Sequence, residues 1–313
     1  MNQRSYPVPQ VEPPLSPRET LPTMYDLPSE DAEQTHSLWQ QNCDKENMFE
    51  SGLPDEFHDL QPQLLSATLR LSGYARDQLF TGTELNLYYD VRQPQWYKRP
   101  DWFLVVGVPR LYDGTDLRSS YVIWQEGVDP FVVVELLSPG TEKEDLGEYA
   151  DLGEDGGLGP PVSSRSTDAV PTVGNGRATR ETPPRKWDVY EQILRVPYYI
   201  VFSRYTNRVR FFQLTGGRYQ EQTLDPTQPR LWIPELGLGL GLWQGAFEGV
   251  TRHWLRWYDD QENWLPTDAE RATQAETQLR QVALKLLQQG LTVEQVAQLT
   301  GLAVEQVQGT GNG

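Results

Sequence analysis

A carboxylate sits in the middle of a strongly strand-forming segment of this chain. From Phe131 to Ser138 the residues read Phe-Val-Val-Val-Glu-Leu-Leu-Ser, with Glu135 enclosed by apolar neighbours. Burying an ionised carboxylate without a partner costs several kcal/mol, so a Glu in such a strand is neutralised, paired or bound to a cation. A second carboxylate lies upstream, where Pro100 and Asp101 lead into the apolar run Trp102 to Val106. If the two runs are neighbouring strands, Asp101 and Glu135 face each other across a sheet, an arrangement that supplies oxygen ligands for Mg2+. Two carboxylates with a basic residue make a hydrolytic site.

At 313 residues the chain is long enough for one sizeable domain with appendages. No apolar stretch approaches the roughly 20 residues that span a bilayer, and the first residues lack the basic and apolar regions of a signal peptide, so a cytoplasmic protein with no membrane role is expected. The single cysteine, Cys43, excludes an internal disulfide framework and any cysteine-rich zinc site. His36, His58 and His253 are scattered along the chain, which favours an oxygen-ligated ion over a His-based zinc centre. The net charge of -17 argues against a broad nucleic-acid footprint. The acidic excess is uneven, however, being concentrated in the N-terminal arm and at Asp259, Asp260 and Glu262, whereas the middle carries Lys98 and Arg99, Arg177 to Arg185, and Arg204 to Arg210.

Residues 1–50 are rich in Pro, Glu, Asp and Gln and read as a disordered acidic arm. Helical spacing of Leu60, Leu64, Leu65, Leu69 and Leu71 predicts a helix between Phe57 and Leu79. Strands are expected at Leu85 to Tyr89, Trp102 to Val108, Tyr121 to Trp124 and Phe131 to Leu137. Residues 151–184, a run of Gly, Pro, Ser and Thr, read as a disordered insertion. Order is expected to resume with a helix from Lys186 to Leu194, then strands at Tyr198 to Ser203, Arg208 to Leu214 and Tyr219 to Gln222, with Gly216 and Gly217 as a hairpin turn. The fold class is therefore α/β or α+β. The Leu-Gly alternation from Leu236 to Leu242 lacks the Lys and Ser/Thr of a phosphate loop and reads as a packing stripe.

Residues 246–265 read as a linker and residues 266–313 as a helical extension. Its first helix is capped at Thr267 or Asp268 and runs to Gln289, with Leu279, Ala283, Leu286 and Leu287 on one face. A capping pattern at Thr292 and Gln295 with a turn at Gly301 predicts two short helices resembling a helix-turn-helix. This end carries no Lys or Arg, which points to packing or self-association, a homodimer included, rather than to DNA reading.

The ordered series Pro100-Asp101, Val134 to Pro139 around Glu135, Asp145, Lys186 with Tyr190 one turn later, and Val196 to Val201 resembles the Uma-two endonuclease family of the restriction-endonuclease-like PD-(D/E)xK superfamily, cyanobacterial members included. The resemblance covers residues 51–245. It implies a mixed sheet flanked by helices and a metal-dependent endonuclease acting on DNA. Asp101 and Glu135 would hold Mg2+ or Mn2+, and Lys186 would orient the attacking water and stabilise the pentavalent phosphate. Position 137, where the superfamily pattern wants Lys, is Leu, so the basic residue is expected on the following helix at Lys186, with Lys143 as the competing candidate. Glu56, Asp145 and Tyr190 are expected as auxiliary groups. The alternative is a nuclease fold without turnover that serves nucleic-acid binding, regulation or protein interaction.

Overall fold

The apolar runs at Val132–Leu136 and Tyr198–Ser203 form adjacent parallel strands, buried at every position. The computed structural model describes residues 16–27, 56–138, 140–150 and 183–310. The chain divides into two units, Met1–Pro62 with Ser72–Pro229 and Gln63–Leu71 with Arg230–Gly313.

The first unit contains a six-stranded sheet in the order β1 (Leu79–Gly82), β4 (Trp102–Val106), β6 (Val132–Leu136), β7 (Tyr198–Ser203), β8 (Arg208–Thr215), β9 (Arg218–Glu221). A small sheet in the order β3 (Tyr97–Lys98), β2 (Leu87–Tyr88), β5 (Tyr121–Val122) accompanies it. In the large sheet only β6 and β7 pair in parallel. A parallel pair requires a long crossover. Here it contains α4 (Glu142–Leu146) and α5, a helical turn Lys186–Asp188 continued by a π-helical turn Val189–Ile193. The helices earlier in the chain are α1 (Pro17–Thr20), α2 (Glu56–Thr68) and α3 (Ile123–Glu126).

Alternation along β7 distributes the helices over both faces of the sheet. Phe57 of α2 meets Phe202, while Trp187 and Tyr190 of α5 meet Tyr199. Trp187 is the centre of an aromatic cluster with Tyr149, Phe212 and Tyr219, at ring separations of 5.0 to 5.2 Å. Gly147 is part of this packing: at φ +54° a Cβ there would lie 2.6 Å from Cγ of Trp187. The absent side chain lets α4 and α5 approach each other. The result is the α+β class that the sequence predicts.

The second unit holds a three-stranded sheet of β10 (Arg230–Ile233), β11 (Leu238–Phe247) and β12 (Val250–Tyr258), followed by α6 (Asp268–Gln288), α7 (Val293–Thr300) and α8 (Val304–Thr310). From Leu238 on, the Leu-Gly stripe forms the start of β11, and Gly239 leaves room for the ring of Tyr258, which a Cβ would overlap. Thr267 caps α6 with a capping box completed by Glu270, Thr292 caps α7 in the same way with Gln295, and Gly301 ends α7 at φ +75°. Ala283, Val296 and Val307 make the small core of these helices. No helix among the described residues is long and apolar enough to cross a membrane.

Several expectations need correction. Residues 246–265 are no linker, because Phe247 pairs with Val250 around Glu248 and Gly249, both at positive φ, which closes a tight hairpin. The domain boundary at residue 245 thus falls inside β11. The predicted first helix stops at Thr68, since Leu69 and Leu71 are buried in an irregular segment whose spacing of two is not helical. Within the arm, residues 16–27 are ordered on the first unit: Met24 is buried beside Tyr88, Tyr112 and Val122, and the indole of Trp124 donates to the carbonyl of Pro22. The rest of the arm, with His36 and Cys43, and the insertion at 151–182 lie outside the described residues.

Candidate active site

Antiparallel pairing of β4 with β6 matches Trp102 to Val134, and the same register continued by one residue sets Asp101 opposite Glu135. The Asp101 carboxyl accepts the backbone N–H of Leu136 at 2.5 Å. Crossover geometry then brings α4 and α5 over the end of β6. Lys186 Nζ stands 2.8 Å from Oε2 of Glu135 and 3.5 Å from Oδ1 of Asp145, and the hydroxyl of Tyr190 donates to Oε1 of Glu135 at 2.9 Å. Glu135 is 1 % exposed, Asp145 3 % and Asp101 8 %.

Three carboxyl groups thus surround one ammonium in a nearly dry environment, and their protonation reflects it. Burial pushes Asp101 up to about 7 despite the Lys186 cation, and a hydrogen bond with the Glu84 side chain acts in the same direction. Burial likewise raises Glu135 and Asp145, again opposed by Lys186. For Lys186, burial favours the neutral amine, but the charges of Glu135, Asp145 and Asp101 outweigh it and hold the ammonium well above the usual lysine range. Lys186 is a fixed cation and hydrogen-bond donor, with no lone pair to accept a proton.

The predicted residues separate into two groups. Asp101, Glu135, Asp145, Lys186 and Tyr190 come together at the ends of β4 and β6. Glu56 is exposed in the first turn of α2, and Lys143 is exposed on α4. Among the described residues no three His, Cys, Asp or Glu side chains are arranged to hold an ion by themselves. The donor set of Asp101 and Glu135 nevertheless fits a hard divalent cation, because Mg2+ is commonly held by one or two carboxylates with water and phosphate oxygens completing its shell. The surplus of buried carboxyls over cations is the charge such an ion would neutralise.

Four neighbours were not singled out as site groups from the sequence. Glu84 occupies a left-handed position at φ +50°, donates its N–H to the carbonyl of Pro100 and presents its carboxyl to Asp101. His58 Nε2 lies 3.2 Å from the carbonyl of Leu136 and 3.4 Å from Oγ of Ser138, in the segment that follows Glu135. Lys98 Nζ pairs with Oε1 of Glu144 at 2.6 Å. That same oxygen accepts the backbone N–H of Lys186 at 2.8 Å. Glu144 beside Asp145, and Lys98 three residues before Asp101, were the only local cues.

The family model of Uma2, described as "Putative restriction endonuclease", matches residues 24–248. No curated protein and no solved structure matches the chain. The mixed sheet with its helices is consistent with the restriction-endonuclease-like fold of that family. Since the match spans well over half of the chain and includes every residue of the buried cluster, this protein belongs to the Uma2 family.

Proposed function

We propose that the protein is a metal-dependent endonuclease that hydrolyses DNA phosphodiester bonds, with Asp101, Glu135 and Lys186 as its central groups. The observation that carries this reading is the ion pair of Lys186 with the buried Glu135, next to the Asp101 carboxyl that accepts the N–H of Leu136. Asp101 and Glu135 would hold Mg2+ or Mn2+. Such an ion lowers the pKa of bound water and neutralises charge developing on phosphate. Lys186, kept protonated by its carboxylate neighbours, would donate to a phosphate oxygen and hold the attacking water in line. Tyr190 fixes the Glu135 carboxylate through Oε1, leaving its other oxygen to Lys186. Asp145 completes the electrostatic setting of Lys186. A cytoplasmic setting belongs to the same proposal, as does self-association through Leu279, Val282 and Leu299, which are exposed on α6 and α7.

One observation favours a second reading. Both oxygens of Glu135 are already hydrogen-bonded within the chain, so the cluster is also consistent with a nuclease fold that binds DNA or a protein without turnover. Mg2+- or Mn2+-dependent cleavage of plasmid and single-stranded DNA, by wild type and by Glu135→Ala at equal purity, separates the two. Metal-dependent cutting that the substitution abolishes by at least about 100-fold supports the enzyme. Equal cutting by both proteins points to a contaminant and to the binding role.

A further inference from the structure

Helix α5 begins without a cap of its own. Its N-cap residue, Arg185, makes no side-chain hydrogen bond to the helix. The first backbone N–H groups of a helix have no intrahelical acceptor, and a carboxylate there is favoured by both hydrogen bonding and the helix dipole. In this protein the acceptor comes from α4, where Oε1 of Glu144 takes the N–H of Lys186 at 2.8 Å. The adjacent residue, Asp145, faces the other nitrogen of Lys186 at 3.5 Å. Two consecutive acidic residues therefore grip one lysine, the first by its main chain and the second by its side chain.

Glu144 is itself held from a third direction. Lys98, at the end of β3, reaches Oε1 of Glu144 at 2.6 Å with only 11 % of its side chain exposed. A lysine so covered is costly to leave unpaired. Lys98 lies three residues before Asp101, so a single carboxylate joins the segment leading into Asp101 to the residue that carries the site's ammonium. Covalent connection does not do this: Glu144 and Lys186 are 42 positions apart in sequence. Noncovalent contacts therefore set where the start of α5 lies against α4.

We propose that Lys98 and Glu144 are positioning residues, forming a clamp that sets the start of α5, and with it Lys186, against Glu135 and Asp101. The catalytic consequence rests on the nuclease reading, while the clamp itself does not. Glu144→Ala should lower kcat for metal-dependent plasmid nicking by about 100-fold, the scale on which small misplacements of a reacting group act. DNA affinity measured by fluorescence anisotropy in Ca2+ should stay within about twofold. Lys98→Met should reproduce the loss, and Lys98→Arg, which keeps the cation, should recover most of it.

Hydrogen exchange of the full-length protein separates positioning from catalysis. In Glu144→Ala and Lys98→Met the amides of residues 186–190 should exchange faster, with the peptide from Tyr198 to Ser203 unchanged. Unchanged exchange at 186–190 in both variants overturns the clamp, whatever the cleavage assay gives. Unchanged kcat, a Lys98→Arg protein as impaired as Lys98→Met, or faster exchange that extends equally to β7 overturns the positioning role as well. A wild type that cuts no DNA while the exchange pattern holds refutes the nuclease reading and leaves the clamp standing.

Discussion

Lys186 Nζ donates to Oε2 of Glu135 across 2.8 Å, although the two residues are 51 positions apart in sequence and lie on either side of the crossover between β6 and β7. The contact answers which of two lysines stands at the carboxylates. Lys143, closer to Glu135 along the chain, is exposed on α4.

Lys186→Met and Lys143→Met should therefore behave differently. The first removes the cation that faces three buried carboxyls and should depress cleavage by about 100-fold or more, with DNA binding less affected. The second changes an exposed side chain and should leave cleavage within about twofold and stability within about 0.5 kcal/mol. Steady-state nicking kinetics with urea unfolding of both variants test this, and equal losses in the two would refute the assignment.

Stability of the metal-free protein should fall as the pH rises through neutrality. Asp101 titrates near 7 in the folded state against an ordinary value of 3.8. The folded protein thus holds a proton that the unfolded chain has already released. Its stabilising effect is complete below about pH 4 and lost as pH climbs through about 7, a change of at most about 4 kcal/mol. Glu135 and Asp145, also raised by burial, act with the same sign. Urea midpoints in EDTA should be higher at pH 5 than at pH 8, Asp101→Asn should flatten the difference, and Mg2+ should raise the wild-type midpoint at pH 8. A wild-type midpoint that climbs with pH contradicts this account.

Tyr190→Phe keeps a ring that packs against Tyr199 and deletes one hydrogen bond to Glu135. Loss of a buried bond to a charged group should destabilise the protein by about 1.5–3 kcal/mol. Cleavage should decline by roughly tenfold through the looser carboxylate, without the near-complete loss expected for Glu135→Ala. Thermal unfolding and nicking rates check both numbers; unchanged activity would leave Tyr190 a packing residue alone.

Gly147→Ala should be among the most damaging single-methyl changes in the first unit. The added Cβ would meet the ring of Trp187 at 2.6 Å in a backbone conformation of φ +54°. Strain of about 1–3 kcal/mol from the backbone adds to the packing conflict. Because Gly147 follows α4 and Trp187 follows Lys186, activity should fall together with the denaturation midpoint. A variant as stable as wild type would show that the contact relaxes freely.

Much of this architecture was legible because it follows local chemistry. The apolar runs at β4, β6 and β7 could be read as strands, and Thr267 and Thr292 could be read as helix caps, because each signal lies within a few residues of the element it marks. The hairpin of β11 and β12 was missed because Glu248-Gly249 is a weaker turn signature than Asn-Gly or Asp-Gly. Asp101 and Glu135 were recognisable as a pair because both flank or interrupt an apolar strand.

What the sequence by itself determined is the class of fold, the pair of carboxylates and a short set of basic candidates, since hydrophobic periodicity and a charge in an apolar run have meaning without long-range contacts. Only the tertiary structure placed Lys186 at the carboxylates and left Lys143 exposed, brought Glu84 to Asp101 and His58 to Leu136, and placed Glu144 between Lys98 and the start of α5. Each of these relations joins residues far apart in the chain. Their energies depend on burial and charge that exist only once β4, β6 and β7 are paired and α5 has closed over them, because desolvation turns a weak solvent-exposed ion pair into a strong constraint.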